Sequence, residues 1–431
     1  MYKAYITEQL KGAKMQIYMV GGAVRDKILG IPVHDKDHVV TGSTEEELLA
    51  LGYKKVGKSF PVFLHPETGE EYALARKEIK TGTGHKDFKF LFTPDITLEE
   101  DSLRRDFTCN ALYQNLENGE IIDFHNGKDD IKNRVLRHIS EHFEEDPLRV
   151  LRTFRFAAQL NFKIAPETME LCQRMVKNGA LENLSKDRIW QEFEKALKSG
   201  HFHIFIETAR QCGALQIMLP EMEQMFNIPE RLDYHPEGNS GAHTILSLKA
   251  ADSKDAMVNF ATMLHDIGKI KTDPKCWPSH HGHDKYGVDV IKSIGKRLKV
   301  PNKYIEFAIF TAENHMIYHR KIADVQKELA DIAIKLSHFH QKDICRKFIE
   351  VLYADMHGRA KEVENDEEQC FADFSRYLEQ LFATAENKKV SEVPAFETLI
   401  TGIKEGTLAP SKLNEAYITL LLNETPYLPK K

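Results

Sequence analysis

The pattern of apolar residues divides the chain into two parts. Between residues 15 and 140, short β-rich runs alternate with a few helical stretches and many glycines. The β-rich runs are Ile17–Val20, His38–Val40, Val62–Leu64, Tyr72–Ala75 and Ile121–Phe124. From Glu141 onwards, strand signals stop and apolar residues recur with the period of a helix, beginning with DPLRVLRTFRFAAQL. The pattern predicts an α/β head followed by nearly continuous helices.

Composition divides the helical part again. Residues 227–240 are polar and contain prolines and glycine, which is typical of a domain boundary. Ten of the 20 histidines lie beyond this boundary, and residues 362–368 form an acidic stretch that we predict to be a loop. We therefore predict a head over residues 15–140, a helical body over 141–230, a second helical domain over 231–360, and a helical C-terminal region of unassigned role over 361–431.

Charge and cysteine content limit the class of protein. The net charge of −6 does not indicate a nucleic-acid-binding protein, but a local basic surface matters more than the sum. The six cysteines lie far apart without a C-x-x-C pair, as is typical of reduced thiols in the cytosol. No apolar run is long enough to span a bilayer. We therefore expect a cytoplasmic protein of several domains with no membrane partner.

A glycine pair followed by two aspartates, VGGAVRDKILGIPVHDKD over residues 20–37, is the most informative motif. The glycines lie where the first strand would pass into a helix over Ala23–Leu29, a place that favours anions. Asp35 and Asp37 would share one face of a strand, and such a pair suits Mg²⁺ beside a phosphate. Either feature alone is common elsewhere. Together they predict nucleotidyl transfer with two metal ions.

Two arginine-rich motifs follow. In LRRDFTCNAL, residues 103–112, Arg104 and Arg105 precede Asn110 at near-helical spacing, and arginine binds phosphate oxygens well. The alternative is a surface charge cluster at a helix end.

The second motif is EDPLRVLRTFRFAAQ, residues 145–159. Asp146 suits a helix cap, and Arg149, Arg152 and Arg155 would form one ridge of the helix. An Asp and an Arg fixed at one helix start would suit the edge of a base. The alternative is a simple cap with a solvated face.

Imidazole and carboxylate side chains are concentrated in the second helical domain. The candidates are His243, the pair His265–Asp266 in MLHDIGK, His280, His281 and His283 in SHHGHD, His315, and Asp355. Such a set on several helices suits one or two divalent metals that hold a hydrolytic water. A lone histidine of this kind is more often structural, but the ordered series H…HD…H…H favours a metal site. The HD pair resembles that of the HD phosphohydrolase superfamily, whose pattern favours His283 within its cluster.

In this order, the motifs resemble those of bacterial class II CCA-adding enzymes, tRNA nucleotidyltransferases of the multifunctional type with a C-terminal HD domain. The matching segments are GGAVRD (21–26), DKD (35–37), RRDFTCNAL (104–112), DFHNGKDDI (123–131), EDPLR (145–149) and LHDIGK continuing to WPSHHGHDKYGV. The resemblance implies a polymerase-beta-like nucleotidyltransferase head with a mixed sheet, an all-α neck and body that binds the base and tRNA, and an all-α HD phosphohydrolase domain.

The resemblance also implies roles for individual residues. Asp35 and Asp37 would be catalytic and hold Mg²⁺. The nucleotide-binding residues would be Gly22, Arg25, Arg105, Asp146, Arg149 and Arg152. Of these, Asp146 and Arg149 would read the base of CTP or ATP without a nucleic-acid template. The ligands of a divalent metal of unassigned identity in the HD domain would be His243, His265, Asp266 and His283.

The implied function is addition of C, C and A to the 3′ end of tRNA, with CTP and ATP as substrates, in tRNA maturation and repair. The HD domain would add metal-dependent 2′,3′-cyclic phosphodiesterase, 2′-nucleotidase and phosphatase activity, and the protein would be a monomer or homodimer. Three alternatives remain at this point: a bacterial poly(A) polymerase, an enzyme that adds only CC or only A, and an HD phosphohydrolase with a degenerate RNA-binding head. Poly(A) polymerases usually carry a basic extension and no HD domain.

Overall fold

The computed structural model describes residues 15–33, 35–56, 61–80, 88–182 and 184–427. The described residues up to Leu184, together with Cys212–Ala214, form one compact unit. Ser185–Gln211 and the described residues from Leu215 onwards form a second compact unit.

The first unit contains a mixed β-sheet, as predicted. Its first nine strands are β1 Gln16–Val20, β2 Asp37–Thr41, β3 Lys54–Val56, β4 Val62–Leu64, β5 Glu71–Leu74, β6 Lys77–Lys80, β7 Phe88–Leu91, β8 Leu112–Asn115 and β9 Ile121–Asp123. Seven of them form one sheet in the order β3-β4-β5-β2-β1-β8-β9. Strands β2 and β5 run parallel, and the other described neighbours in this sheet run antiparallel. Strands β6 and β7 pair separately.

The sheet has a hydrophobic core on both faces. Side chains of a strand alternate between the two faces, so the residues of β1 divide between two clusters. Ile17 packs in a cluster with Phe63 and Leu74. Tyr18 and Val20 belong to the cluster on the opposite face. Strand β1 is therefore buried on both sides, which fixes the position of its C-terminal end.

Six helices and a small parallel strand pair complete the described part of the first unit. The helices are α1 Gly22–Leu29, α2 Glu45–Ala50, α3 Leu98–Leu103, α4 Gly127–Asn133, α5 Leu148–Leu160 and α6 Pro166–Lys177. The strands are β10 Val135–Leu136 and β11 Lys163–Ile164, which pair with each other. The expectation that strands end before Glu141 was wrong for β11, because a two-residue strand is too short to produce a periodic pattern.

The second unit consists of helices joined by loops in the residues that the structure describes. Its helices are α7 Lys186–Leu197, α8 Phe202–Cys212, α9 Leu215–Met218, α10 Pro220–Met225, α11 Ser240–Ala251, α12 Ala256–Leu264, α13 His283–Leu298, α14 Asn302–Asn314, α15 Ile322–Ser337, α16 Ile344–His357, α17 Asn365–Asn387, α18 Phe396–Lys404 and α19 Ser411–Glu424. Helices α11, α12 and α16 pack on one another, and α13 packs on the 3-10 turn Ile267–Lys271. These contacts bring the predicted histidine segments together.

The acidic stretch 362–368 is not a loop throughout, because α17 begins at Asn365. The backbone N–H of Glu364 donates to the side chain of Glu367, 3.4 Å away, as part of a capping box. Acidic side chains stabilise the first turn of a helix. The charge run therefore marks a helix start.

In the part of the chain that the structure describes, the helices lack the combination of length and apolar character that a membrane crossing requires.

Candidate active sites

The first candidate site lies at the end of the central strand. Val20, the last residue of β1, pairs with Asp37, the first residue of β2. Gly21 follows with a φ of 74° and leads directly into α1, and this backbone conformation favours glycine. Asp37 therefore lies beside the N-terminus of α1. The N–H groups of a helix start attract phosphate groups.

The two predicted carboxylates differ in their local structure. Strand β2 begins at Asp37, so Asp35 precedes the strand and the predicted shared strand face does not apply. Desolvation raises the pKa of Asp37, Arg105 opposes this rise, and the negative charge of Asp35 adds to it. A cavity of about 220 Å³ is lined by Asp37 and Arg105, among others. Repulsion between two neighbouring carboxylates is what a divalent cation relieves.

A buried aspartate fixes Arg104 and Arg105 of the LRRDFTCNAL motif. Helix α3 ends at Leu103, so Arg104 and Arg105 lie in a turn and not in the helix that their spacing predicted. The fully buried Asp101 accepts hydrogen bonds from Arg104 Nη2 at 2.5 Å and Arg105 Nη2 at 3.1 Å. Burial alone would raise the pKa of Asp101, but the two guanidinium groups outweigh this effect and lower it to about 2. Arg105 is thereby held at the wall of the cavity.

A chain of polar contacts links the glycine motif to α5. Arg25 Nη1 donates to Asn110 Oδ1 at 2.5 Å, and Asn110 Nδ2 donates to Asp106 Oδ1 at 3.2 Å. Arg152 Nε donates to the other oxygen of Asp106 at 2.8 Å. Burial would raise the pKa of Asp106, but Arg152 and Asn110 outweigh it, so the pKa is lowered. Three of the motifs thus meet in one network.

The ring of Phe156 lies close to three guanidinium groups of this site. The Cζ atoms of Arg25, Arg152 and Arg155 lie 5.3, 5.2 and 3.8 Å from the ring centroid. Cations are attracted to the face of an aromatic ring, so Phe156 offsets part of their mutual repulsion. The predicted arginine ridge is therefore only partly solvated, since Arg155 is 6% exposed.

The start of α5 is tied to the turn before it. Asp146 Oδ1 accepts a hydrogen bond from the Leu148 N–H at 3.1 Å, but the N-cap of α5 is Pro147, so Asp146 lies one residue before the cap position. Arg149 donates hydrogen bonds to the backbone carbonyls of His142 and Arg104. These contacts fix the backbone at the position where the sequence predicts base recognition.

The second candidate site is a buried cluster of histidines and aspartates in the second unit. Among the described residues, three groups of potential ligand atoms each lie within 4.8 Å of one another. The first is His243, His265 and Asp355, the second is Asp266, His283 and His315, and the third is His235, Glu237 and His243. Asp266 belongs to the environments of the first two groups, because Oδ2 lies 3.4 Å from His265 Nε2 and Oδ1 lies 3.3 Å from His283 Nε2. The geometry suits one or two metal ions with a shared carboxylate.

The outer nitrogen of each histidine is bound by a backbone carbonyl. The Nδ1 atoms of His243, His265, His283 and His315 lie 2.9, 2.7, 2.7 and 2.9 Å from the carbonyl oxygens of Gly358, Thr262, His280 and Ala312. A carbonyl only accepts, so each Nδ1 carries the proton and each Nε2 can offer a lone pair. All four Nε2 atoms face the carboxylates.

Several observations fit a metal in this cluster. The buried Nε2 of His265 has no hydrogen-bond partner among the described residues. Burial would lower the pKa values of His243 and His265, but Asp355, Asp266 and Glu237 raise them to about 9 and about 10. The carboxylates near His243 and His265 carry more negative charge than two neutral imidazoles can balance. A divalent cation would balance this charge.

His315 and Asp355, which the pattern named as candidates, lie beside the four residues that the resemblance implied as ligands. His280 has a different environment, because its Nε2 lies 2.9 Å from the carbonyl oxygen of Pro229. Lys269 Nζ lies 2.7 Å from both Asp266 Oδ2 and Glu230 Oε1. The sequence analysis missed Glu230, because the segment 227–240 was interpreted only as a boundary. The cluster opens into a cavity of about 760 Å³.

Comparisons with known proteins agree with this arrangement of motifs. Residues 17–137 match the family model of the poly A polymerase head domain, and residues 161–226 match a model described as "Probable RNA and SrmB- binding site of polymerase A". Residues 240–373 match the HD domain.

A "Multifunctional CCA protein" of Aliivibrio salmonicida is 42% identical over 414 residues, which cover 95% of this chain and 100% of the relative. One of Vibrio vulnificus is 46% identical over 350 residues, covering 80% and 86%.

Solved structures have the same fold. The Bacillus stearothermophilus CCA-adding enzyme in complex with CTP aligns with a TM-score of 0.65 at 23% identity, covering 98% of this chain and 92% of that one. The Thermotoga maritima enzyme complexed with tRNA aligns with a TM-score of 0.57 at 20% identity, covering 100% and 91%. The predicted polymerase-beta-like head and helical HD domain are thereby confirmed. With relatives this similar over nearly its whole length, the chain belongs to the family of multifunctional CCA proteins.

Proposed function

We propose that this chain adds C, C and A to the 3′ end of tRNA without a nucleic-acid template, using CTP and ATP. The observation that carries the proposal is the network from Arg25 through Asn110 and Asp106 to Arg152. It joins the phosphate-binding end of the head to the helix that would face the base. The names of the relatives agree with this activity.

Asp35 and Asp37 would hold the catalytic Mg²⁺. Carboxylates next to a phosphate-binding helix start are the hard oxygen ligands that Mg²⁺ prefers, and substrate phosphates complete its coordination. Desolvation and the negative charge of Asp35 raise the pKa of Asp37 despite Arg105, and a bound divalent cation would favour the ionised carboxylate. Bound there, the metal supplies Lewis acidity to the attacking 3′-hydroxyl and the triphosphate. Gly22, Arg25 and Arg105 bind and orient the triphosphate, so that its α-phosphorus faces the tRNA end.

Asp146, Arg149 and Arg152 would select the base. Cytosine N4 and adenine N6 are donors that face a carboxylate, whereas cytosine O2 and N3 and adenine N1 are acceptors that face a guanidinium. GTP and UTP present reversed edges and would leave buried polar groups unpaired. The hydrogen bonds that fix the backbone around Asp146 support this role, because a template must keep its geometry.

The test is extension of a tRNA that lacks its CCA end, with Mg²⁺ and each nucleotide alone or in mixtures. We expect two additions with CTP, one further addition when ATP is present, and none with GTP or UTP. A long ladder of A would instead identify a poly(A) polymerase. Addition limited to CC or to A would identify a partial enzyme, and no extension would leave only the HD activity.

We propose a second activity for the HD domain, the metal-dependent hydrolysis of 2′,3′-cyclic nucleotides, 2′-nucleotides and phosphomonoesters. The convergence of four Nε2 atoms on Asp266 and Asp355 supports it. His243, His265, Asp266 and His283, with His315 and Asp355, would hold a divalent metal, which when bound lowers the pKa of a water molecule. Hydrolysis of 2′,3′-cyclic AMP that EDTA abolishes and one divalent metal restores would support the proposal.

We also propose a cytoplasmic location, since tRNA end maturation takes place where tRNA is used, and an assembly of one or two chains. Sedimentation of the purified protein with and without tRNA distinguishes monomer from homodimer.

A further inference from the structure

A half-exposed tyrosine lies in the wall of the HD cavity. Tyr234 is 52% exposed and lines the cavity together with Asp266 and His283. It lies on the segment from Glu230 to Gly238, hereafter the 230–238 loop. A large aromatic ring beside a catalytic cluster offers a flat apolar surface to whatever enters the cavity.

The 230–238 loop is anchored to the metal-ligand cluster at both ends. At its start, Glu230 Oε1 accepts from Lys269 Nζ at 2.7 Å, and Lys269 in turn binds Asp266. Near its end, Glu237 Oε1 lies 3.3 Å from His243 Nδ1, and Glu237 Oε2 accepts from the Ala360 N–H at 3.0 Å. The position of the tyrosine is therefore fixed relative to the ligand atoms.

An arginine orients the ring within the loop. The Cζ atom of Arg231 lies 4.8 Å from the centroid of Tyr234, and its guanidinium is held by Asp233 through contacts of 3.2 and 2.6 Å. The Tyr234 N–H donates to the Arg231 carbonyl at 3.0 Å. Aromatic and guanidinium planes are the surfaces on which proteins stack unpaired nucleobases.

The wall of the cavity carries cationic side chains as well as the acidic Asp284 and Glu367. Arg359 and Lys361 line the same cavity as Tyr234. A cavity of about 760 Å³ has ample room for one nucleotide, with a phosphate at the metal-ligand cluster. The combination of a stacking surface, cationic side chains and a hydrolytic centre points to a ligand that carries both a base and a phosphate.

We propose that Tyr234 is the nucleobase platform of the HD site, so that this cavity selects nucleotides over phosphodiesters that lack a base. The inference rests on the proposed hydrolytic function and names the part of the substrate that this chain recognises. The base stacks on the ring, and the ribose places the 2′,3′-cyclic phosphate at the histidine–aspartate cluster. A free nucleotide and an RNA 3′ end both carry such a base and cyclic phosphate.

The test compares two five-membered cyclic phosphodiesters, 2′,3′-cyclic AMP and glycerol 1,2-cyclic phosphate, which has no base. We expect kcat/KM of the full-length protein to be higher for 2′,3′-cyclic AMP. In Tyr234→Ala, the ratio of the two kcat/KM values falls about tenfold through KM, with kcat for the nucleotide unchanged, because stacking binds ground and transition states equally. Tyr234→Phe keeps the ring and restores the ratio.

Leu232→Ala is the matched control, since Leu232 is 69% exposed on the same loop and is not among the residues that line the cavity. An unchanged ratio in Tyr234→Ala, or an equal loss for both substrates, would overturn the platform while leaving hydrolysis intact. Hydrolysis of neither substrate by the unmodified protein would instead overturn the hydrolytic function. An oligoribonucleotide that ends in a 2′,3′-cyclic phosphate distinguishes an RNA 3′ end from a free nucleotide as the substrate. A kcat/KM above that of 2′,3′-cyclic AMP indicates the RNA end, and a lower value indicates the free nucleotide.

Discussion

The guanidinium group of Arg152 donates two hydrogen bonds to the carboxylate of Asp106 and so joins α5 to a segment 46 residues earlier in the chain. Asp106 is 8% exposed and also binds Asn110, the partner of Arg25. Asp106 is buried and Arg152 is partly buried, so breaking the pair is costly because it leaves a buried carboxylate without its counter-charge. The pair therefore fixes the distance between the groups that we propose to bind the phosphates and those that we propose to read the base.

We predict that Asp106→Asn raises KM for both CTP and ATP by about tenfold, because Arg152 loses its counter-charge and leaves its position. Arg152→Lys keeps the charge but loses the forked contact, so it should have a similar effect. Steady-state kinetics of both variants and of the double variant form a double-mutant cycle. Strictly additive effects would show that the two side chains act independently and would contradict the network.

Asp101 makes stability depend on pH. Its pKa is lowered from 3.8 to about 2, so its ionised form stabilises the folded state above pH 3.8. This stabilisation is lost as the pH falls through about 2. The lowered pKa of Asp101 corresponds to about 2 kcal/mol of the free energy of unfolding. We predict that Asp101→Asn lowers the free energy of unfolding of the first unit by at least this amount at pH 7. The difference from the unmodified protein should narrow below pH 4.

Urea unfolding, followed by hydrogen exchange of peptides from the first unit at pH 7 and pH 3, measures this effect. The two tryptophans, Trp190 and Trp277, lie in the second unit, so their fluorescence transition should not move. A constant difference across this pH range would refute the role of the Asp101 charge.

Asp35→Ala should lower nucleotide addition by more than about 1000-fold, because the metal site loses one of two carboxylates. Hydrolysis of 2′,3′-cyclic AMP in the same preparation should be unchanged, since the HD cluster lies in the other unit. Both activities are measured on one folded sample. Loss of both would contradict the proposal of two separate sites.

Much of the head could be predicted from sequence because its strands are short apolar runs bounded by turns. The start of α1 also followed from the glycines, since Gly21 has a positive φ. The contact of Arg25 with Asn110, 85 residues away, could not be predicted, because it depends on β8 lying beside β1 in the sheet. Local periodicity contains no information on strand order.

The HD cluster illustrates a second limit. The spacing of its histidines indicated a metal site, but Glu230 and Glu237 lie in a segment whose prolines suggested only a boundary. Their role depends on the packing that brings Lys269 and His243 to them. Likewise, Phe156 was one apolar residue in an arginine ridge, and no pattern indicates which guanidinium groups will lie against its ring.

Gly268 allows the HD motif to pack on α13. A Cβ atom there would lie 1.9 Å from the His283 carbonyl oxygen and 2.5 Å from the Gly287 nitrogen, both backbone atoms. We predict that Gly268→Ala destabilises the second unit by about 3 kcal/mol and lowers cyclic-nucleotide hydrolysis. Gly287→Ala is the control, because its nearest new contact would be an ordinary 3.5 Å to Ala312 Cβ. Equal thermal stability of the two variants would contradict the packing argument.

Asp266 faces all four histidines of the cluster and also binds Lys269. Asp266→Ala should therefore lower metal-dependent hydrolysis of 2′,3′-cyclic AMP by more than about 100-fold, because the shared ligand is lost. It should also lower the divalent metal bound per chain after dialysis, while CCA addition is retained. Asp266→Asn keeps the shape of the side chain and serves if the alanine variant does not fold. Asp273 is exposed, and Asp273→Ala is the matched control, which should change neither hydrolysis nor CCA addition. Unchanged hydrolysis in a folded Asp266 variant would exclude this cluster as the hydrolytic centre.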